Sequence, residues 1–122
     1  MWIRYNPNPC LKSTGDCSVR ALTKALDVDW YKAYELQCLK GQSMCDMPSS
    51  NAVWGAILRD YGYRQYTIPM CCSECYTIRD FCSDNPEGLY VLATGTHVVT
   101  IIDGDYYDSW DSGSEVPVYY WA

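Results

Sequence analysis

Two residues far apart in this 122-residue chain are of the types that exchange a proton during thiol chemistry. Cys17 follows Gly15-Asp16 at the start of a segment with Val19, Leu22 and Leu26 at helical spacing. His97, the chain's single histidine, opens the apolar run His97-Val98-Val99-Thr100-Ile101-Ile102, which reads as a buried strand. First-turn amides and the helix dipole stabilise a thiolate at a helix start, and an imidazole beside it can take the thiol proton. Together they are the parts of an activated cysteine nucleophile.

A third member is sought in the next turn. Asp103-Gly104 is a strong hairpin signal, and a two-residue turn there pairs Ile102 with Asp105 and Ile101 with Tyr106. Continued outward, that register sets Val99 opposite Asp108 and His97 opposite Trp110, so Asp108 is the carboxylate expected to orient the imidazole. A three-residue turn reverses the parity and offers Asp111 instead. An oxyanion needs donors near the sulfur; the Cys17 N–H is one, and Asn8 or Asn6, the side-chain amides upstream, supplies another, with Asn8 favoured.

These residues need elements to carry them. Pro7 and Pro9 keep the opening extended, and Asp16 is expected to cap the helix that starts at Cys17. A second helix is expected from Trp30 to about Lys40, capped by Asp29 and stopped by Gly41, and a third from Ser49 or Ser50 to near Gly62. A short strand at Arg64 to Ile68 and a short helix capped by Thr77 with Asp80 follow. Strands are then expected at Leu89 to Ala93, His97 to Ile102, Tyr106 to Trp110 and Val116 to Trp121. The fold class is therefore α+β, N-terminal helices packed on a C-terminal antiparallel sheet, in a single domain over 1–122.

Composition narrows the function classes. A formal net charge of −6 argues against tracking a phosphate backbone, so nucleic acid is not an expected partner. The opening Met1-Trp2-Ile3-Arg4-Tyr5-Asn6-Pro7 lacks an apolar signal core, and no run approaches the roughly 20 apolar residues of a membrane span. A cytoplasmic protein of bacterial or phage type is the expectation, with no membrane partner. Eight cysteines sit beside 12 Tyr and 5 Trp, enough apolar bulk for a core without disulfide staples, so reduced thiols are expected. Cys72-Ser73-Glu74-Cys75 offers two zinc ligands of the four a structural site needs, and no second such step occurs, so neither metal nor other cofactor is expected.

The order of Cys at a helix start, His on a strand and Asp108-Ser109-Trp110 on the next resembles the papain-like cysteine peptidase superfamily. Gly15-Asp16-Cys17 is similar to the nucleophile motif of its bacteriocin-processing, C39-like branch. Tyr5-Asn6-Pro7-Asn8-Pro9, Gly15 to Ala21, Asp46-Met47-Pro48, His97-Val98-Val99 and Tyr107 to Gly113 resemble short papain-like proteins of gut bacteria and their phages, nearly end to end. The resemblance implies a minimal papain-like fold with Cys17 as nucleophile, His97 as base and Asp108 as orienter. The short span from Cys17 to His97 implies a shallow cleft, suited to a flexible peptide, a protein tail or a small amide. Peptidases, amidases and acyltransferases share that fold, and fold alone does not choose among them. The competing expectation is a non-catalytic binding or inhibitor protein of the same fold, possibly phage-encoded, that uses its aromatic residues on a host factor or small ligand.

Overall fold

In a computed structural model, described for residues 1–69 and 75–122, six strands form one mixed sheet with helices on both of its faces. In chain order the elements are β1 (Trp2–Arg4), α1 (Cys17–Leu26), α2 (Trp30–Met44), α3 (Asn51–Asp60), β2 (Gln65–Thr67), α4 (Ile78–Asp84), β3 (Leu89–Ala93), β4 (Val98–Ile102), β5 (Asp105–Asp108) and β6 (Tyr119–Trp121). The strand order is β1-β5-β4-β3-β6-β2. All pairings are antiparallel except β1 with β5. The α+β class expected from the sequence is the one observed.

Alternation along the strands divides the core in two. Val91, Ala93, Val98 and Trp121 face α1 and α3, burying Leu22, Trp54 and Leu58 with them. Leu92, Val99, Ile101 and Tyr106 face the other way, onto Ile78 and Phe81 of α4. The Thr77 and Asp80 pair closes α4 as a reciprocal capping box, as the sequence indicates.

Three expectations need correction. The last strand does not extend a meander beyond β5: β6 crosses to β3, and the vacated edge of β5 is taken by β1, whose Trp2, Ile3 and Arg4 pair in parallel with Tyr106, Tyr107 and Asp108. Parallel pairing between chain ends is a long-range choice that local pattern does not encode. Gly41 does not stop α2, which runs to Met44 and ends at Cys45 in the left-handed conformation. A Cβ on Gly41 would meet the Asp46 carbonyl oxygen at 2.9 Å and the Pro48 Cα at 3.2 Å, so that glycine serves close approach of the following loop. Asp16 stands at the N-cap of α1 but its side chain makes no capping hydrogen bond. Its carboxylate is drawn instead to Arg20 and to the Trp30 indole, whose Nε1 donates to Oδ2 at 3.0 Å.

Candidate active site

Cys17, His97 and Asp108 meet at one end of the sheet, where α1 begins, β4 begins and β5 ends. The Asp103-Gly104 turn has two residues, and Ile102, Ile101 and Thr100 pair with Asp105, Tyr106 and Tyr107. Asp108 follows one step on, and the His97 Nε2 lies 2.6 Å from its Oδ2. Asp111, the alternative, is turned elsewhere: its carboxylate accepts from the Tyr106 hydroxyl, and from Arg79 at 3.2 Å. Because Asp108 occupies Nε2, Nδ1 is the ring nitrogen left for the sulfur.

The thiol and imidazole lie within hydrogen-bonding reach, and each moves the other's titration. Burial pushes the Cys17 thiol up. The bond to His97, the Val98 backbone and the charges of His97 and Arg20 outweigh burial and hold the thiol below its ordinary range. Burial likewise opposes the charged His97 ring, yet hydrogen bonds to Asp108 and Cys17 raise it to about 9. Burial also opposes the Asp108 carboxylate, which hydrogen bonds from His97 and Ser112 keep below the usual range. All three shifts favour the charged form of their group: thiolate, imidazolium and carboxylate.

Local structure fixes each member. Thr94 Oγ1 accepts from the His97 backbone N–H at 3.0 Å in the β3 to β4 turn, setting the histidine at the mouth of β4. Thr100 Oγ1 donates to the Ala21 carbonyl at 2.7 Å, clamping α1 onto β4 so that Cys17 meets His97. Trp110 is half-exposed and stands 5.0 Å from the imidazole, ring centre to ring centre, shielding one side of it. The Asp108 carbonyl accepts from the Tyr5 N–H at 2.8 Å and the Trp2 indole at 3.0 Å, so β1 also supports the site.

Beneath the three lies a buried polar cluster that sequence reasoning missed. Arg20, 5% exposed, is paired with Asp16 and donates from Nη2 to Asp108 Oδ1 at 3.0 Å. Ser112, fully buried, donates to Asp108 Oδ2 at 2.6 Å, and the Ser109 N–H donates to Oδ1 at 2.8 Å. A chain of charge thus runs from Asp16 through Arg20 and Asp108 to His97. The spacing of Asp16 and Arg20, four residues apart on a helix whose other inward residues are apolar or small, is the signal that could have revealed it.

The cluster has a consequence at the helix start. With the Asp16 carboxylate held by Arg20 and Trp30, the first-turn N–H groups of α1 keep no side-chain cap and remain free to meet an oxyanion. Asn8 is buried and shares a cavity wall with Gly15, Asp16 and Ser18; its Oδ1 accepts from the Cys10 N–H at 2.8 Å, which leaves its NH2 as the outward donor. Asn6 is spent on the chain itself, its Oδ1 taking the Asn8 N–H at 3.3 Å and its Nδ2 giving to the Lys12 carbonyl at 3.4 Å. Of the two, Asn8 keeps its NH2 uncommitted and Asn6 does not.

The six described cysteines are free thiols. Among the described residues no group of three or more His, Cys, Asp or Glu side chains is placed to hold a metal ion. The Cys72-Cys75 step lies outside the described residues except for Cys75. Among the described residues no helix is long and apolar enough to cross a membrane. Compared with protein-family models, curated proteins and solved structures, the chain finds no match in any of the three.

Proposed function

We propose that this protein is a thiol-dependent hydrolase of papain-like type, a cysteine peptidase or amidase acting on a peptide, a protein tail or a small amide. The observation that carries the reading is the relay of buried Asp108 and half-buried His97 and Cys17, its carboxylate 2.6 Å from the imidazole and its thiol pulled below the ordinary range.

The thiolate attacks the substrate carbonyl carbon, and the oxygen that gains the electron pair is met by the Cys17 N–H and the Asn8 amide. The carbon to nitrogen bond then breaks as His97 gives its Nδ1 proton to the leaving amine, which leaves an acyl thioester on Cys17. His97, neutral again, takes a proton from water; the hydroxide attacks the thioester, and the thiolate departs beside the reprotonated imidazole. Asp108 holds one tautomer and stabilises the imidazolium throughout without itself taking the proton.

An activated ester tests this. With p-nitrophenyl acetate, intact-mass measurement should find a transient acetyl group on Cys17, formed and cleared in the native protein and absent in Cys17→Ala. His97→Ala should form it at least tenfold more slowly. A thiol that acquires no acetyl group faster than free cysteine does would refute the enzyme and favour a binding protein of the same fold.

A further inference from the structure

The Asp108 carboxylate is met by four donors, two on each oxygen. Oδ1 accepts from Arg20 Nη2 at 3.0 Å and from the Ser109 N–H at 2.8 Å, and Oδ2 accepts from His97 Nε2 and from Ser112 Oγ, each at 2.6 Å. A carboxylate offers about four acceptor positions, so all are taken. Ser112 is 0% exposed, and an ionised carboxylate only accepts, so its hydroxyl hydrogen must point at Oδ2. The hydroxyl is brought there by its own turn rather than by the carboxylate. Asp111, which takes no part in the relay, accepts at Oδ1 from the Tyr106 hydroxyl and from the Gly113 N–H at 3.1 Å, and at Oδ2 from Arg79 at 3.2 Å. The Ile78 and Arg79 N–H groups that open α4 donate to the Glu115 and Gly113 carbonyls at 3.0 and 3.1 Å. A Cβ on Gly113 would collide with the Tyr106 hydroxyl and stand 2.9 Å from Arg79 Cγ, so the turn lies close against β5 and α4.

We propose that Ser112 is a positioning residue of the thiol reaction: sharing the Asp108 oxygen that holds the imidazole, its hydroxyl limits how strongly that oxygen binds the His97 proton. The proposal rests on the thiol chemistry set out above. A hydrogen donated to a carboxylate oxygen lowers the affinity of that oxygen for a further proton. With Ser112 in place, His97 keeps its proton available to the leaving amine and, once neutral, can take one from water. Without it, Oδ2 would serve the imidazole alone. The imidazolium would be held more firmly, so His97 would be a weaker acid toward the amine and would be neutral only at higher pH. The other ionisable groups around the pair are Cys17, Asp16 and Arg20 on the α1 side and Asp111 and Arg79 on the α4 side, and removal of a neutral hydroxyl changes the charge of none of them.

Ser112→Ala tests this in the full-length protein, where the turn keeps its bonds to α4 and β5. Proton NMR of the single histidine should find the His97 titration midpoint raised by about half a unit and its Nε2–H resonance moved further downfield, as a hydrogen bond that no longer shares its acceptor requires. The pH profile for clearance of the acetyl group from Cys17, loaded with p-nitrophenyl acetate, should move up by the same amount. Ser112→Cys, whose thiol donates weakly, should shift both in the same direction by less, and it decides the matter if Ser112→Ala does not fold. A residue that only packed the turn would, when shortened, loosen Asp108 from the imidazole and lower the midpoint. A midpoint lowered or unchanged therefore overturns the proposal, and leaves the thiol reading standing when native Cys17 still forms and clears its acetyl group. A raised midpoint beside a Cys17 that takes no acetyl group overturns the catalytic role of Ser112 together with the thiol reading.

Discussion

Replacing Arg20 by Met tests whether the charged chain under the site is the framework described. Arg20 is 5% exposed and stands between Asp16, 6% exposed, and Asp108, 1% exposed. Methionine keeps much of the volume but removes the cation and strands two carboxylates out of water. Removing one partner of a buried ion pair costs about 3–5 kcal/mol, and here one cation serves two anions, so the upper part of that range is expected. For a chain of this size that corresponds to a melting midpoint lower by roughly 10–25 °C. Urea unfolding followed by tryptophan fluorescence measures the loss, since Trp30 donates to Asp16 inside the cluster. Adding Asp16→Asn to Arg20→Met removes one stranded charge and should recover about 1–2 kcal/mol, a coupling read from the double-mutant cycle. A loss below about 1 kcal/mol for Arg20→Met, or no recovery in the double variant, refutes the reasoning.

Further outcomes follow from the same contacts. With a single histidine in the chain, the His97 ring resonance can be followed without ambiguity: it should titrate near pH 9 in the native protein and at least about one unit lower in Asp108→Asn. The sign carries over to stability. The His97 contribution is present in full below its unfolded value of about 6.5 and is lost as pH rises through about 9. The Asp108 contribution is present above its unfolded value of about 3.9 and lost as pH falls through the lower folded value, which urea midpoints across pH would show. Thr100→Val deletes the bond to the Ala21 carbonyl while keeping the shape, so a loss of about 1 kcal/mol is expected in urea unfolding, with slower Cys17 alkylation as α1 loosens from β4. Gly41→Ala sets a methyl against backbone at 2.9 Å, and that clash should exceed the gain of about 1 kcal/mol in helix propensity and lower the melting midpoint.

The parts of the fold that local chemistry determines were legible in the sequence. The Asp103-Gly104 turn set the register of β4 against β5, and from it the approach of Asp108 to His97 and of Trp110 to the imidazole ring. The Ser50 cap and the Thr77 capping box marked where α3 and α4 begin. What escaped is long-range. Nothing in Trp2-Ile3-Arg4 announces a parallel partner a hundred residues away, and nothing local sends β6 across to β3. The same cause explains the misread Asp16: a carboxylate before a helix caps it by default, and only the tertiary placement of Arg20 and Trp30 draws it off. A sequence reading therefore found the three residues that face each other but not the buried cation that holds them.

That His97 lowers the pKa of the Cys17 thiol is measured directly by the pH profile of its alkylation by iodoacetamide. Cys17 should react first among the thiols, the midpoint of its rate against pH should lie below the ordinary thiol value near 8.5, and His97→Ala should move that midpoint upward. A rate that rises with a midpoint near 8.5 and is unchanged by His97→Ala would contradict it.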